Sequence, residues 1–245
     1  MSSVPPVFCT IGAVAPAPPG PADPAAALAP PGALVIRGGY VLTMDPEAGD
    51  LPAADVHIAG GLIAAVGAGL AVPAGTPELG AAGMIVAPGL VDTHWHMWNT
   101  LLRSMSADVD STVLTGNADM FSIMKVTQGI VNALAGDEFA MTHRQALALG
   151  TIEGARSLGL GGVTGSLTPG KRADVICVST GEPNLGVLTD PAHLLVTAAQ
   201  PANVDTVIVD GRVLKRAGAL TTIDPAQARE DARRALAGVR AQAAG

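Results

Sequence analysis

The stretch Ala87-Pro88-Gly89-Leu90-Val91-Asp92-Thr93-His94-Trp95-His96 decides how the whole chain is read. Met84-Ile85-Val86-Ala87 forms a short apolar strand, and Pro88-Gly89 ends it. His94 and His96 are two positions apart, so on extended backbone both imidazoles point to one face. Two imidazoles on one face can share a cation, and imidazole suits zinc, iron, nickel and copper. Asp92 precedes His94 by two positions and falls on the same face. The plain alternative is a pair of strand histidines with partly exposed rings.

Outward from this stretch the pattern is β on both sides. Leu34-Val35-Ile36-Arg37, Gly38-Gly39 and Tyr40-Val41-Leu42-Thr43-Met44 read as strand, turn, strand. Asp55 to Ala59, Gly60-Gly61 and Leu62 to Val66 read as a hairpin, because Gly-Gly suits a two-residue turn. His57 sits within that hairpin and is read as a surface or half-buried residue. On the C-terminal side, Ala173 to Val178 is a strand, and Val204 to Val209, Asp210-Gly211 and Arg212 to Lys215 form a second hairpin. Helices are expected at 118–135 and 138–158. Thr142 with Gln145 is a capping-box pair for the second, and Gly159 is a C-terminal stop. His143 falls in a first turn and is read as a surface residue. Asp224-Pro225 opens a last helix, whose Arg229, Glu230, Asp231, Arg233 and Arg234 form a solvated face.

Composition narrows the class. The chain has 245 residues, 49% apolar and 14% charged, which excludes a solvated disordered chain. Aromatics are 2%, so Ala, Val, Leu and Ile must build the core. Net charge is −7 and Lys and Arg do not cluster, which argues against a nucleic-acid partner. No apolar run is long enough to span a membrane. Cys9 and Cys177 provide no disulfide framework, so the cytoplasm is the expected compartment. Residues 1–32 hold nine prolines and no Lys or Arg, and read as a disordered Ala/Pro-rich leader without a secretory signal.

Four segments together resemble the amidohydrolase superfamily, specifically the branch with atrazine chlorohydrolase and the cytosine and guanine deaminases. Ala87 to His96 resembles the first barrel strand of that family. Leu34 to Gly39 with Gly61-Leu62-Ile63 resembles its N-terminal β-domain. Thr168-Pro169-Gly170-Lys171-Arg172-Ala173-Asp174-Val175 and Val207 to Arg212 resemble the C-terminal strands that complete it. The resemblance implies an α/β plus β fold, the remnant of a metal-dependent (β/α)8 barrel joined to a β-sandwich formed by both chain ends. The expected organisation is a leader at 1–32, a composite β-sandwich from 33–89 and 165–221, a barrel segment at 90–164 and a C-terminal helix at 222–245.

The same resemblance implies roles. His94 and His96 would be metal ligands. Asp108, in Ser106-Ala107-Asp108-Val109-Asp110, would match the ligand at the end of the eighth strand and help activate a metal-bound water. The cofactor would be a divalent metal, zinc or else iron. The reaction would be hydrolysis of a C–N or C–Cl bond, by deamination or dechlorination, in a small cyclic substrate. Only eleven residues separate His96 from Asp108, where the family has six further strands. A whole barrel takes about 250 residues. Two further metal-binding histidines and a catalytic glutamate of the family have no match here, and His143 and His193 lie outside its motifs. The chain therefore looks like an internally deleted amidohydrolase. Open sheet edges left by the deletion invite association, so a homo-oligomer is expected. Two other readings stay open: a catalytically impaired remnant serving as a pseudoenzyme or oligomerisation module, and a new activity at a reshaped pocket.

Overall fold

The computed structural model describes residues 32–93 and 119–243. Strands β1 (Leu34–Leu42), β2 (Asp50–Ala59), β3 (Leu62–Gly67), β4 (Glu78–Gly80) and β5 (Met84–Pro88) come first. Helices α1 (Met120–Ala135), α2 (His143–Leu149) and α3 (Ile152–Ser157) follow. Then come β6 (Val175–Ser179), α4 (Pro191–Thr197), β7 (Val204–Val209), β8 (Arg212–Arg216), β9 (Ala219–Leu220) and α5 (Pro225–Ala243). The strands form one nine-stranded mixed sheet in the order β3-β2-β1-β5-β6-β7-β8-β9, with β4 also paired to β1. The antiparallel β5–β6 pairing, from Met84↔Ser179 to Pro88↔Val175, joins the N-terminal strands to the C-terminal ones.

Gly38-Gly39 is not the expected turn. β1 runs straight through it, with register shifts against β2 on both sides of Gly39. The reason is local. Gly38 takes a left-handed φ of 71°, and its N–H, displaced from the ladder, donates to the Asp55 carboxylate at 3.0 Å. A Cβ on Gly39 would lie 2.5 Å from Val86 Cγ2, so β5 can approach β1 only at glycine. Arg37 donates to the same Asp55 at 2.8 Å, and Asp55 ionises below the usual carboxylate range. Burial opposes that shift, and hydrogen bonds from Arg37, Gly38 and Leu70 outweigh it.

The sheet curls until its first edge meets the segment before β6. Ile63 donates to the Lys171 carbonyl and accepts from Gly170, both at 2.8 Å, and Ala173 N–H donates to the Gly61 carbonyl at 2.8 Å. One core lies inside this curl, built from Ile36, Val56, Ile58, Ile63, Val86, Val175, Cys177 and Ile208 among others. The other core lies under the helices, where Ile85, Ala87, Ile176 and Val178 meet Phe121, Met124, Leu147 and Leu195. Alternation along β5 and β6 thus feeds both cores. Each fully buried Ile or Leu contributes about 1.5–3 kcal/mol.

The expected helix at 138–158 is two helices. Thr142 and Gln145 form the capping box of α2. The helical run then breaks at Gly150-Thr151. The Gly150 carbonyl accepts from Val91 N–H at 2.9 Å, and Thr151 Oγ1 turns back to the Leu147 carbonyl at 2.7 Å. Gly159 follows α3 with φ 74°, the left-handed stop expected there. Helix α4 is absent from the sequence reading. Asp190 caps it, accepting from Ala192 and His193, and Pro191 is its first residue. The solvated face of α5 is as expected: Arg233 pairs with Glu230 and Arg234 with Asp231, all exposed. No helix among the described residues is long and apolar enough to cross a membrane.

Candidate active-site cavity

β5 delivers the chain to Gly89, whose N–H donates to the Asp174 carbonyl at 2.8 Å. Two residues on, the Val91–Gly150 bond pins the backbone to the junction of α2 and α3. A Cβ on Gly154 would sit 3.3 Å from the Val91 carbonyl, so glycine there lets α3 approach closely. The backbone after β5 is therefore fixed as far as Val91. The chain returns at Asp119, which caps α1 by accepting from Phe121 N–H at 3.0 Å and Ser122 Oγ at 2.5 Å.

Val91 and Asp119 line the same cavity, of about 560 Å³. Its wall is mostly apolar: Leu90, Met120, Phe121, Ile176, Val204, Val207 and Ile208. The polar contributors are Asp119, Thr164, Asp174 and Lys215. Asp174 is engaged: it accepts from Thr164 Oγ1 at 2.6 Å and from Asp210 N–H at 2.8 Å. Lys215 Nζ reaches the Pro201 carbonyl at 3.4 Å. Such a volume and lining suit a small, flat, largely apolar ligand.

His94, His96 and Asp108 lie outside the described residues. Asp92, the last acidic residue before them, is exposed. Among the described residues no three His, Cys, Asp or Glu side chains gather to hold a metal. A site for the family's metal therefore rests on the motif residues. By donor chemistry their two imidazoles and one carboxylate fit zinc or a similar cation.

The sequence reading placed His143 at the surface. The structure half-buries it and sets its ring 4.3 Å from that of His193, edge to face at 68°. Burial lowers the His143 pKa, the neighbouring imidazole lowers it further, and Asp190 acts against both. His57 is half-buried in β2 between Val35 and Ala65, and its buried Nε2 has no hydrogen-bond partner.

The hydrogen bonds of the segment before β6 also escaped the sequence reading. Lys171 Nζ donates to the Gly161 carbonyl at 2.6 Å and to Ser166 Oγ at 2.7 Å. Ser166 and Thr168 hydroxyls are 2.8 Å apart, and Thr168 donates to Asp45 at 2.6 Å. Burial lowers the Lys171 pKa, and the Thr168 hydroxyl holds Asp45 below the usual carboxylate range. These residues tie the loop before β6 to the end of β1. Their sequence signal is the Thr168-Pro169-Gly170-Lys171 stretch, whose lysine is half-buried.

The amidohydrolase family model matches residues 98–214, a stretch that includes Asp108 and starts just past His96. The chain is 35% identical over 121 residues to the 5-methylthioadenosine/S-adenosylhomocysteine deaminase of Moorella thermoacetica, covering 49% of this chain and 28% of that protein. It is 34% identical over 121 residues to the 5'-deoxyadenosine deaminase of Methanothermobacter thermautotrophicus, with the same coverage of 49% and 28%. The chain thus spans between a quarter and a third of the length of these curated relatives. Among solved structures, a zinc-bound adenosine deaminase from Xanthomonas campestris superposes with a TM-score of 0.71 at 15% identity, covering 86% of this chain and 99% of that one. Zinc-complexed atrazine chlorohydrolase from Arthrobacter aurescens superposes at 0.62 and 12% identity, covering 83% and 100%. Residues 98–214 are thus similar to the amidohydrolase family, and the superpositions show that the chain shares the fold of these proteins.

Proposed function

We propose that this chain is a metal-dependent amidohydrolase that deaminates a small heteroaromatic substrate, with purine nucleosides as the first class to test. The observation that carries the reading is the cavity reached from both sides of residues 94–118, with Val91 and Asp119 in its wall. In this reading the cavity adjoins the remnant of the (β/α)8 barrel, and both chain ends supply its β-sandwich. His94 and His96 would hold the cation, and Asp108 would complete the set and accept the proton of the attacking water. Bound there, zinc would supply Lewis acidity and lower the pKa of a water to around 7. Phe121, Leu90 and Ile176 would cover the faces of the ring and exclude bulk water. Adenosine-type deaminases among the relatives favour an exocyclic amine over chloride as the leaving group.

The proposal extends to setting. A buried, unpaired Cys177 thiol, with its pKa pushed up to about 12 by burial, suits a reducing cytoplasm. Exposed Val126, Ile130, Leu134 and Phe139 on and after α1 support self-association. The second reading, a catalytically impaired remnant, draws on the chain spanning 28% of its first curated relatives. Ammonia release from adenosine, 5'-deoxyadenosine and 5'-methylthioadenosine, with added zinc, separates the two. Turnover that His94→Ala abolishes supports the hydrolase. Zinc binding without turnover of any nucleoside or chlorotriazine supports the remnant.

A further inference from the structure

His143 opens α2 and His193 lies in the first turn of α4, and the catalytic reading uses neither. We propose that the two imidazoles form a separate, exchangeable site for a late divalent transition metal, copper(II) above nickel(II) and zinc(II).

Geometry carries this. A cation at about 2.0–2.1 Å from one nitrogen of each ring holds the ring centroids roughly 4.5 Å apart when the two bonds meet at a right angle, and just over 5 Å at a tetrahedral angle. The centroids are 4.3 Å apart, so the backbones of α2 and α4 already hold the rings near chelating distance. The right-angled arrangement is that of square-planar and octahedral ions, and copper(II) stands highest in divalent affinity. The rings now meet edge to face, so binding needs them to reorient.

The surroundings are prepared for a cation. The Thr142–Gln145 capping box fixes the start of α2, and Arg144 pairs with Asp50 of β2 at 2.7 Å. Asp190 fixes the start of α4 through bonds from Ala192 and His193 to one oxygen, Oδ1. Asp190 is the charged group that acts on His143, and Asp190, Asp50 and Arg144 all act on Tyr40 of β1. Arg144 pairs with Asp50, and the charge that acts on His143 is the negative one of Asp190. Burial favours the neutral form of His143 that a metal requires, and exposed His193 gives access. No third His, Cys, Asp or Glu among the described residues completes the set, so water fills the other positions and the ion exchanges readily.

The test titrates the full chain with copper(II) alone, by calorimetry and by electron paramagnetic resonance. The same titration is run on His143→Gln and on exposed His193→Gln, with thermal unfolding as the control for folding. The expected result is that each variant loses one equivalent of copper, or more than about tenfold in its affinity (about 1.4 kcal/mol). The nitrogen hyperfine signal of that equivalent should go with it. Retention of every equivalent at parent affinity in the well-folded His193→Gln variant overturns the site. Zinc held through His94 and His96 should not change in either variant, so failure here leaves the catalytic reading standing.

Discussion

The N–H of Gly89 donates to the Asp174 carbonyl across 2.8 Å, and a Cβ on Gly89 would stand 3.1 Å from the Asp174 Cβ. This contact locks the end of β5 against the start of β6 at the cavity wall. The Asp174 carboxylate extends the lock to Thr164 and to the β7–β8 turn at Asp210. Asp174→Ala removes both acceptors and leaves the Asp210 N–H without its partner. A loss of about 2 kcal/mol is expected. Urea unfolding checks it through a lower midpoint at unchanged slope.

Gly211 tests the closure of the sheet. Its φ is 72°, and a Cβ there would lie 2.7 Å from the Gly61 Cα. Gly211→Ala thus combines left-handed strain of about 1–2 kcal/mol with a backbone clash. Gly218, at φ 76°, has open space around its Cβ position. Gly218→Ala should lower the thermal midpoint by the strain alone, and Gly211→Ala by clearly more. Equal shifts would show that the two turns do not pack.

Local turn chemistry made much of the sheet legible. Gly60-Gly61 and Asp210-Gly211 sit at hairpin tips with positive φ at every position, as their sequences indicate. Gly38-Gly39 has the same letters and a different cause. There the glycines admit Val86 of β5 and free an N–H for Asp55, contacts made by residues far along the chain. Helix α4 carries the same Asp-Pro opening as α5 and could have been found from it. The break at Gly150 follows from Val91 claiming its carbonyl, which no helical periodicity encodes. For the site, His94 and His96 lie outside the described residues, and the cavity depends on strands, helices and turns meeting across the fold: Asp174 stands in a quoted motif, whereas Thr164 and Lys215 carry none.

Acid should weaken the fold through His143. Its folded pKa lies below that of the free residue, because burial and His193 disfavour the charged form. The unfolded chain therefore binds the proton more readily. The contribution is fully present above the free histidine value of about 6.5 and is lost as pH falls below it. His143→Gln should flatten the dependence of the unfolding midpoint on pH between about 6.5 and 5. The comparison belongs in a chelating buffer. An unchanged slope would show that another group sets it.

The N-terminal strands should not fold alone. β5 has β6 as one of its two neighbours, and the core within the curl takes Val175, Cys177 and Ile208 from the far end of the chain. Residues 33–89 expressed without 165–221 should show no cooperative unfolding transition. Mixing the fragment with 90–245 should restore one.

The central claim is that His94 and His96 hold the metal of an amidohydrolase centre. Zinc per chain, measured by elemental analysis on the purified parent, His94→Ala and His96→Ala, tests it most directly. The account predicts close to one tightly held zinc in the parent, released as pH drops through about 6 where histidine protonates. It predicts none above background in either variant. Equal zinc content in the parent and the His94→Ala protein would contradict it.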